Sequence, residues 1–186
     1  SSKTIAIIAT APVAVKMNLG VIIESLKEKY SVIVMTNLSD PKDEFLDSLP
    51  QGVELFNTKM KREIKILHDL RTLFLIYFFL KRKNIKMVLT ITPKGGFIGN
   101  LGAFFARVKL RIHIFTGQVW ITKKGFLKFL LKLLDKITYL ISSKVLVDSK
   151  SQRDFLIEEK IIKSNNSLVL GKGSLCGVNT ERFSPI

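Results

Sequence analysis

Two short stretches of the chain place hydrogen-bonding side chains and glycine directly after apolar runs: Thr92-Pro93-Lys94-Gly95-Gly96 and Thr116-Gly117-Gln118. In the first, Thr92 can cap a helix, Pro93 suits its first turn, and Lys94 sets a positive charge beside the N–H groups of Gly95 and Gly96. Such a helix start suits an anion. The same glycines would equally let a helix pack tightly on a sheet, and at this level both readings stand. In the second stretch, Thr116 and Gln118 offer hydrogen bonds and Gly117 lets the backbone turn. No acid or base accompanies them, so they could orient a substrate or stabilise developing charge but could not carry a proton.

Lesser candidates lie elsewhere. In "TAPVAVKMNLG" (10–20), Lys16 and the backbone of Ala14 and Val15 are either anion contacts or plain loop. Ser149 stands three residues before Gln152 and Ser151 three before Asp154, the spacing of capping boxes, and Ser149 is also a candidate ligand contact. His113, inside an apolar run, and His68, within a helical one, read as structural, and Trp120 reads as a packing residue.

These residues need a frame that gathers loop ends. Apolar, β-branched runs recur at 4–10, 31–36, 52–56, 87–92, 111–116, 144–149 and 167–171, mostly separated by helix-length segments. Helices are expected near 17–29, 42–48, 61–83, 96–107, 124–142 and 150–160. Continuous apolar strands that do not alternate are buried on both faces, which predicts an α/β fold: a Rossmann-like, doubly wound, mostly parallel sheet of about seven strands with helices on both faces. In such a sheet, ligands sit outside the carboxyl ends of the strands, where Lys16, the Thr92 and Thr116 stretches and Ser149 fall but His113 and His68 do not. The loop after the first strand has no G-x-G-x-x-G, which argues against a dehydrogenase. It also lacks the acidic residues of a phospho-acceptor domain.

Composition narrows the class further. With 186 residues and 47% hydrophobic content, the chain reads as a single domain able to bury roughly 70% of its unfolded surface. Its one cysteine, Cys176, fits a reducing cytosol, and no cluster of Cys and His suggests a metal. No signal peptide is expected, and the uncharged run "TLFLIYFFL" (72–80) is about half of the ~20 residues a membrane span requires. The net charge is +15, and thirteen Lys and Arg but no acid lie between Asp69 and Asp135. An anionic partner is therefore expected, and without a recognition motif nucleic acid is disfavoured. Lys124, Lys128, Lys132 and Lys136 recur every fourth residue in "KKGFLKFLLKLLDKITYLI". The first three are candidate contacts to an anionic membrane surface, although such a stripe can also be simply a solvated helix face.

Taken in order, "TPKGGFIGNLGAFFA", "FTGQVWITKKGFLKFLLKLLDK", "VLVDSKSQRDFLIEE" and "GKGSLCGVNTERFSP" resemble the N-terminal, acceptor-side domain of GT-B retaining glycosyltransferases of family 4, in the branch that builds capsule, O-antigen and related surface glycans. The resemblance implies one half of a two-domain enzyme, with residues 177–186 beginning the linker to a C-terminal donor-binding domain. It implies a metal-independent transfer from a nucleotide sugar, without a resident cofactor, to a polyprenyl-diphosphate-linked acceptor. The enzyme would be cytoplasmic and peripheral at the inner face of the plasma membrane. Many relatives of that kind carry a histidine where this chain has Thr116, so Thr116, Gly117 and Gln118 would act at the reacting sugar by hydrogen bonding alone. Lys16, Thr92, Lys94, Gly95, Gly96 and Ser149 would bind substrate. The alternative is a complete flavodoxin-like basic module that binds anionic membrane or nucleic acid without catalysis.

Overall fold

The computed structural model describes residues 3–39 and 49–174. Seven strands, β1 (Thr4–Ile8), β2 (Ser31–Thr36), β3 (Glu54–Asn57), β4 (Met87–Ile91), β5 (Leu110–Phe115), β6 (Lys144–Val147) and β7 (Ser167–Val169), alternate with α1 (Pro12–Lys27), α2 (Ile66–Arg82), α3 (Pro93–Phe105), α4 (Gly125–Ile141) and α5 (Lys150–Glu158). All strands pair in parallel in the order β3-β2-β1-β4-β5-β6-β7. The expected Rossmann-like architecture is therefore present. The helix expected at 42–48, Cys176 and the stretch 177–186 lie outside the described residues.

The central strands are apolar throughout because both sides are covered. Ile5, Ile7, Val32, Val34, Leu89 and Ile91 meet Val15, Leu19 and Ile23, one stripe of α1 at four-residue spacing. The other side, with Ala6, Ile8, Ile33, Met35 and Val88, meets Ile76 and Leu80 of α2 and Ile98 and Ala103 of α3. His113 of β5 lies beneath Gly96 of α3. Phe115, two residues along on the same side of the strand, packs with Tyr139 of α4, Trp120 and Leu156 of α5. Thus α2, α3 and α4 form one layer, and α1 lies on the opposite face.

The first helix corrects an expectation. It begins at Pro12, not near residue 17, because proline at the first helical position loses no hydrogen bond and already holds a helical φ. Ala14, Val15 and Lys16 are consequently helical rather than loop. Val15 is fully buried in the core and Lys16 is exposed on the second turn.

Candidate active site

The strand order reverses between β1 and β4: the chain leaves β1 toward one face of the sheet and leaves β4 toward the other. A crevice opens at such a point. Its floor is a pair of threonines. Thr10 and Thr92 approach to 2.8 Å between hydroxyl oxygens, and Thr92 Oγ1 also accepts the Thr10 N–H at 3.2 Å. Thr10 Oγ1 in turn accepts the Gly95 N–H at 3.0 Å.

This arrangement differs from the expected helix cap. The Thr92 side chain caps nothing; it reaches across to the neighbouring strand end, and its carbonyl accepts the Gly96 N–H at 2.7 Å. The N–H groups of Gly95 and Gly96, expected to face a ligand, are already satisfied. Both residues are buried, and a β-carbon at Gly95 would lie 3.0 Å from Thr10 N and 3.1 Å from Ala9 C. The glycines are there so that α3 can sit directly on the sheet. Thr92 itself has φ 72°, a conformation costing a β-branched residue of order 1–3 kcal/mol, and such strain gathers where surrounding contacts over-determine the backbone, often at functional sites.

Lys94 also differs. Its ammonium lies 2.7 Å from Asp69 Oδ1 of α2, with the two side chains only 15% and 17% exposed, and it donates to the Glu63 carbonyl as well. The charge expected to stand open at the helix start is thus partnered by an acid from the next helix.

At the end of β5, Thr116 is half-buried and Gly117 is exposed with open space above it. Gly117 does not use the left-handed backbone region; the space above it is its contribution. A narrow notch between Thr92, Pro93, Thr116 and Gly117 has His113 at its base. Gln118 is 9% exposed, and its Oε1 accepts from Gln152 Nε2 of α5 at 3.3 Å. Among the described residues its Nε2 is buried without a partner. Such a donor is costly unless something accepts from it. Gln152 is held in turn: its N–H goes to Ser149 Oγ at 3.1 Å, and its Oε1 accepts the Asp148 N–H at 3.2 Å. Ser149 is therefore the N-cap of α5, as its spacing indicated, and it stands beside the crevice. Ser151 forms no second capping box, because it lies inside the helix, 3.1 Å from Ser149 Oγ.

The buried titratable groups His113 and Asp135 are structural. His113 Nδ1 is 2.9 Å from Thr90 Oγ1, and burial pulls its pKa down to about 3, leaving a neutral ring. Trp120 is 1% exposed and donates from Nε1 to Asp135 Oδ2 at 2.7 Å. Burial pushes the Asp135 carboxyl up to about 6, against the opposing effect of the Trp120 bond. Two of the three lysines taken as membrane contacts turn toward this cluster. Lys128 and Lys132 lie 6.0 and 5.1 Å from the Trp120 ring, and Lys132 also pairs with Glu159 of α5. Lys124 is exposed at the start of α4. Among the described residues no group of His, Cys, Asp and Glu could hold a metal ion, and no helix is long and apolar enough to cross a membrane.

Thr10 as a site residue, and Gln152 as a brace for Gln118 rather than only a capping partner, escaped the sequence reading. For Thr10 a signal was available: Thr10-Ala11-Pro12 after β1 echoes Thr92-Pro93 after β4, each a threonine just ahead of a proline that opens a helix.

No family model matches the chain. It is 33% identical over 124 residues to the capsular polysaccharide biosynthesis glycosyltransferase CapM of Staphylococcus aureus, covering 67% of this chain and 33% of that protein. It is 23% identical over 159 residues, 85% of this chain and 40% of that protein, to an Escherichia coli UDP-Gal:α-D-GlcNAc-diphosphoundecaprenol α-1,3-galactosyltransferase. Among solved structures, UDP-N-acetylglucosamine 2-epimerase from Rickettsia bellii superposes with TM-score 0.72 at 13% identity, over 100% of this chain and 48% of that one. The Methanocaldococcus jannaschii UDP-GlcNAc 2-epimerase in complex with UDP-GlcNAc and UDP gives 0.67 at 18%, over 91% and 46%. These structural likenesses establish the fold. The chain spans between a third and two fifths of the length of its curated relatives, which are glycosyltransferases.

Proposed function

We propose that the chain is the acceptor-side half of a retaining, metal-independent glycosyltransferase that moves a sugar from a nucleotide donor to a polyprenyl-diphosphate-linked glycan in surface polysaccharide synthesis. The observation that carries this is the Gln118 amide. It is a buried donor with no acceptor among the described residues, at the strand end where this fold binds ligands, in a chain whose sequence relatives transfer sugars. In this reading residues 177–186 lead into a donor-binding domain that closes over the crevice, and the whole works from the cytoplasmic side of the plasma membrane.

The following roles are proposed on that geometry. Gln118, braced by Gln152, donates to a sugar or phosphate oxygen, and Thr116 orients the acceptor hydroxyl beside the open space over Gly117. Neither can accept a proton at neutral pH, so the leaving diphosphate takes it. Thr92 sets the crevice floor and Ser149 holds the start of α5 in place. Lys16 contacts the acceptor diphosphate, and Lys94 does so only by exchanging Asp69 for phosphate.

The test is a transfer assay on the chain joined to its donor-binding domain, using a panel of sugar nucleotides and an undecaprenyl-diphosphate-linked acceptor. Gln118→Ala is expected to lower kcat/KM about ten-fold, the loss of one buried hydrogen bond. Wild-type kinetics in both Gln118→Ala and Thr116→Ala would remove the β5 loop from the site. The chain by itself is expected to show no transfer and only weak nucleotide-sugar affinity; tight stoichiometric binding in a calorimetric titration would refute the division of labour.

A further inference from the structure

The outer surface of the α2–α3–α4 layer is apolar where a soluble helix face is ordinarily polar. On α2, Thr72, Ile76 and Leu80 point to the core, and the opposite stripe is Leu67, Leu70, Phe74 and Phe78. These four are between 48% and 79% exposed. On α4, Phe126 and Phe129 are 76% and 62% exposed. Scattered exposed leucines need no explanation, but rows of large side chains on α2 and α4, the two helices that flank α3 in one layer, mark a contact surface. Capsule-type chemistry at the strand ends does not account for them, because they lie on the outer side of the layer.

Charge decides the occupant. Lys61, Arg62 and Lys65 are exposed just ahead of α2, and Lys123 and Lys124 just ahead of α4; Glu63 is the acid among them. A second copy would bring the same positive rim against its like, on a chain of net charge +15. An anionic lipid surface satisfies both features: acyl chains for the phenylalanines and leucines, headgroup phosphates for the cations. The two helix starts also lie at the carboxyl edge of the sheet, the edge that holds the crevice, since α4 follows β5 and α2 runs back to the start of β4.

We propose that α2 and α4 together form a membrane-insertion surface whose aromatic and aliphatic stripes enter the headgroup–acyl boundary of an anionic leaflet. The lysines of α4 beyond Lys124 are not the contact, for Lys128 and Lys132 turn toward Trp120 and α5. The surface rests on the transferase reading only for what it delivers, a lipid-linked acceptor brought level with the crevice; its test needs no transfer activity.

The chain is co-sedimented with vesicles of phosphatidylglycerol mixed with phosphatidylcholine and with vesicles of phosphatidylcholine alone, at low and high salt. The wild type is expected to bind the anionic vesicles and to keep a salt-resistant fraction. Phe74→Ser/Phe78→Ser and Phe126→Ser/Phe129→Ser should each lower the partition coefficient about ten-fold or more, since each removes two aromatic rings from the contact. Their melting temperatures should stay at the wild-type value; if either melts early, Leu67→Gln, at the most exposed position of the stripe, gives the same readout from a single change. Wild-type partitioning in both double variants would overturn the proposal. So would binding that high salt abolishes entirely, or a wild-type dimer that the serine variants dissolve without any vesicle binding. Absence of sugar transfer by the joined enzyme would leave vesicle binding in place, so failure of the two ideas can be told apart.

Discussion

Gly96→Ala tests the closeness of α3 to the sheet. At an unconstrained helix position alanine is favoured over glycine by about 0.8–1 kcal/mol. At residue 96 the added β-carbon would stand 2.2 Å from His113 Cε1 and 2.7 Å from Nδ1, far inside the roughly 3.5–4.0 Å at which carbon atoms rest. His113 has nowhere to go: it is 1% exposed, its Nδ1 is 2.9 Å from Thr90 Oγ1, and its ring meets Phe115 edge-on at 4.4 Å. Either α3 lifts or the imidazole leaves its threonine. Overpacking costs about 1–3 kcal/mol and a lost hydrogen bond about 1 kcal/mol, so after the propensity gain a net loss of about 2 kcal/mol is expected. For a chain of this size that is a fall of about 4–8 °C in Tm. Gly20→Ala in α1 is the control, because its β-carbon would meet nothing within 4 Å; the identical substitution there should raise Tm by about 2–4 °C. Thermal and urea unfolding of the two variants give the answer. If Gly96→Ala melts at or above the wild type, α3 does not sit where the glycines were argued to place it.

Three further outcomes follow from the same contacts. Lys94→Ala should destabilise the chain by about 1–3 kcal/mol, since it strands a half-buried Asp69 carboxylate, and a double-mutant cycle with Asp69→Asn should recover much of that loss. With the His113 pKa pulled down to about 3, its contribution to stability is complete above pH 6.5 and is lost progressively as pH falls; His113→Gln, which keeps a neutral hydrogen-bonding partner for Thr90, should flatten that acid limb in pH-dependent melts. Asp135 acts in the opposite direction. Its pKa, raised to about 6, favours the folded state at low pH and loses that contribution as pH climbs from about 4 to 6, so Asp135→Asn should raise stability at pH 7 and steepen the acid limb.

The central strands β1, β2 and β4 were legible because each is an apolar, β-branched run buried on both sides, a pattern that needs no knowledge of its neighbours; β3 and β7, at the edges of the sheet, are only partly buried. The start of α1 was not. "TAPVAV" reads as loop until Pro12 is recognised as a first helical residue, and only the packing of Val15, Leu19 and Ile23 on the sheet makes that choice. Thr116, Gly117 and Gln118 could be placed at a strand end from order alone. That Gln118 has a braced carbonyl and, among the described residues, a donor left over depends on Gln152, thirty-four residues on in α5.

The sequence by itself determined the class of fold and the edge on which the candidate site lies, since both follow from local periodicity and from the one-way connectivity of parallel strands. It also determined that the chain is basic and where the acids are missing. Only the tertiary structure decided what the polar residues are for. Thr92 could have capped its own helix and instead bonds to Thr10; Lys94 could have faced a ligand and instead meets Asp69; Lys128 and Lys132 could have faced a membrane and instead lie against Trp120. The reason is one of range. Backbone preference and burial are set within a few residues, whereas a hydroxyl or ammonium takes the best partner that folding brings within about 3 Å, from anywhere in the chain.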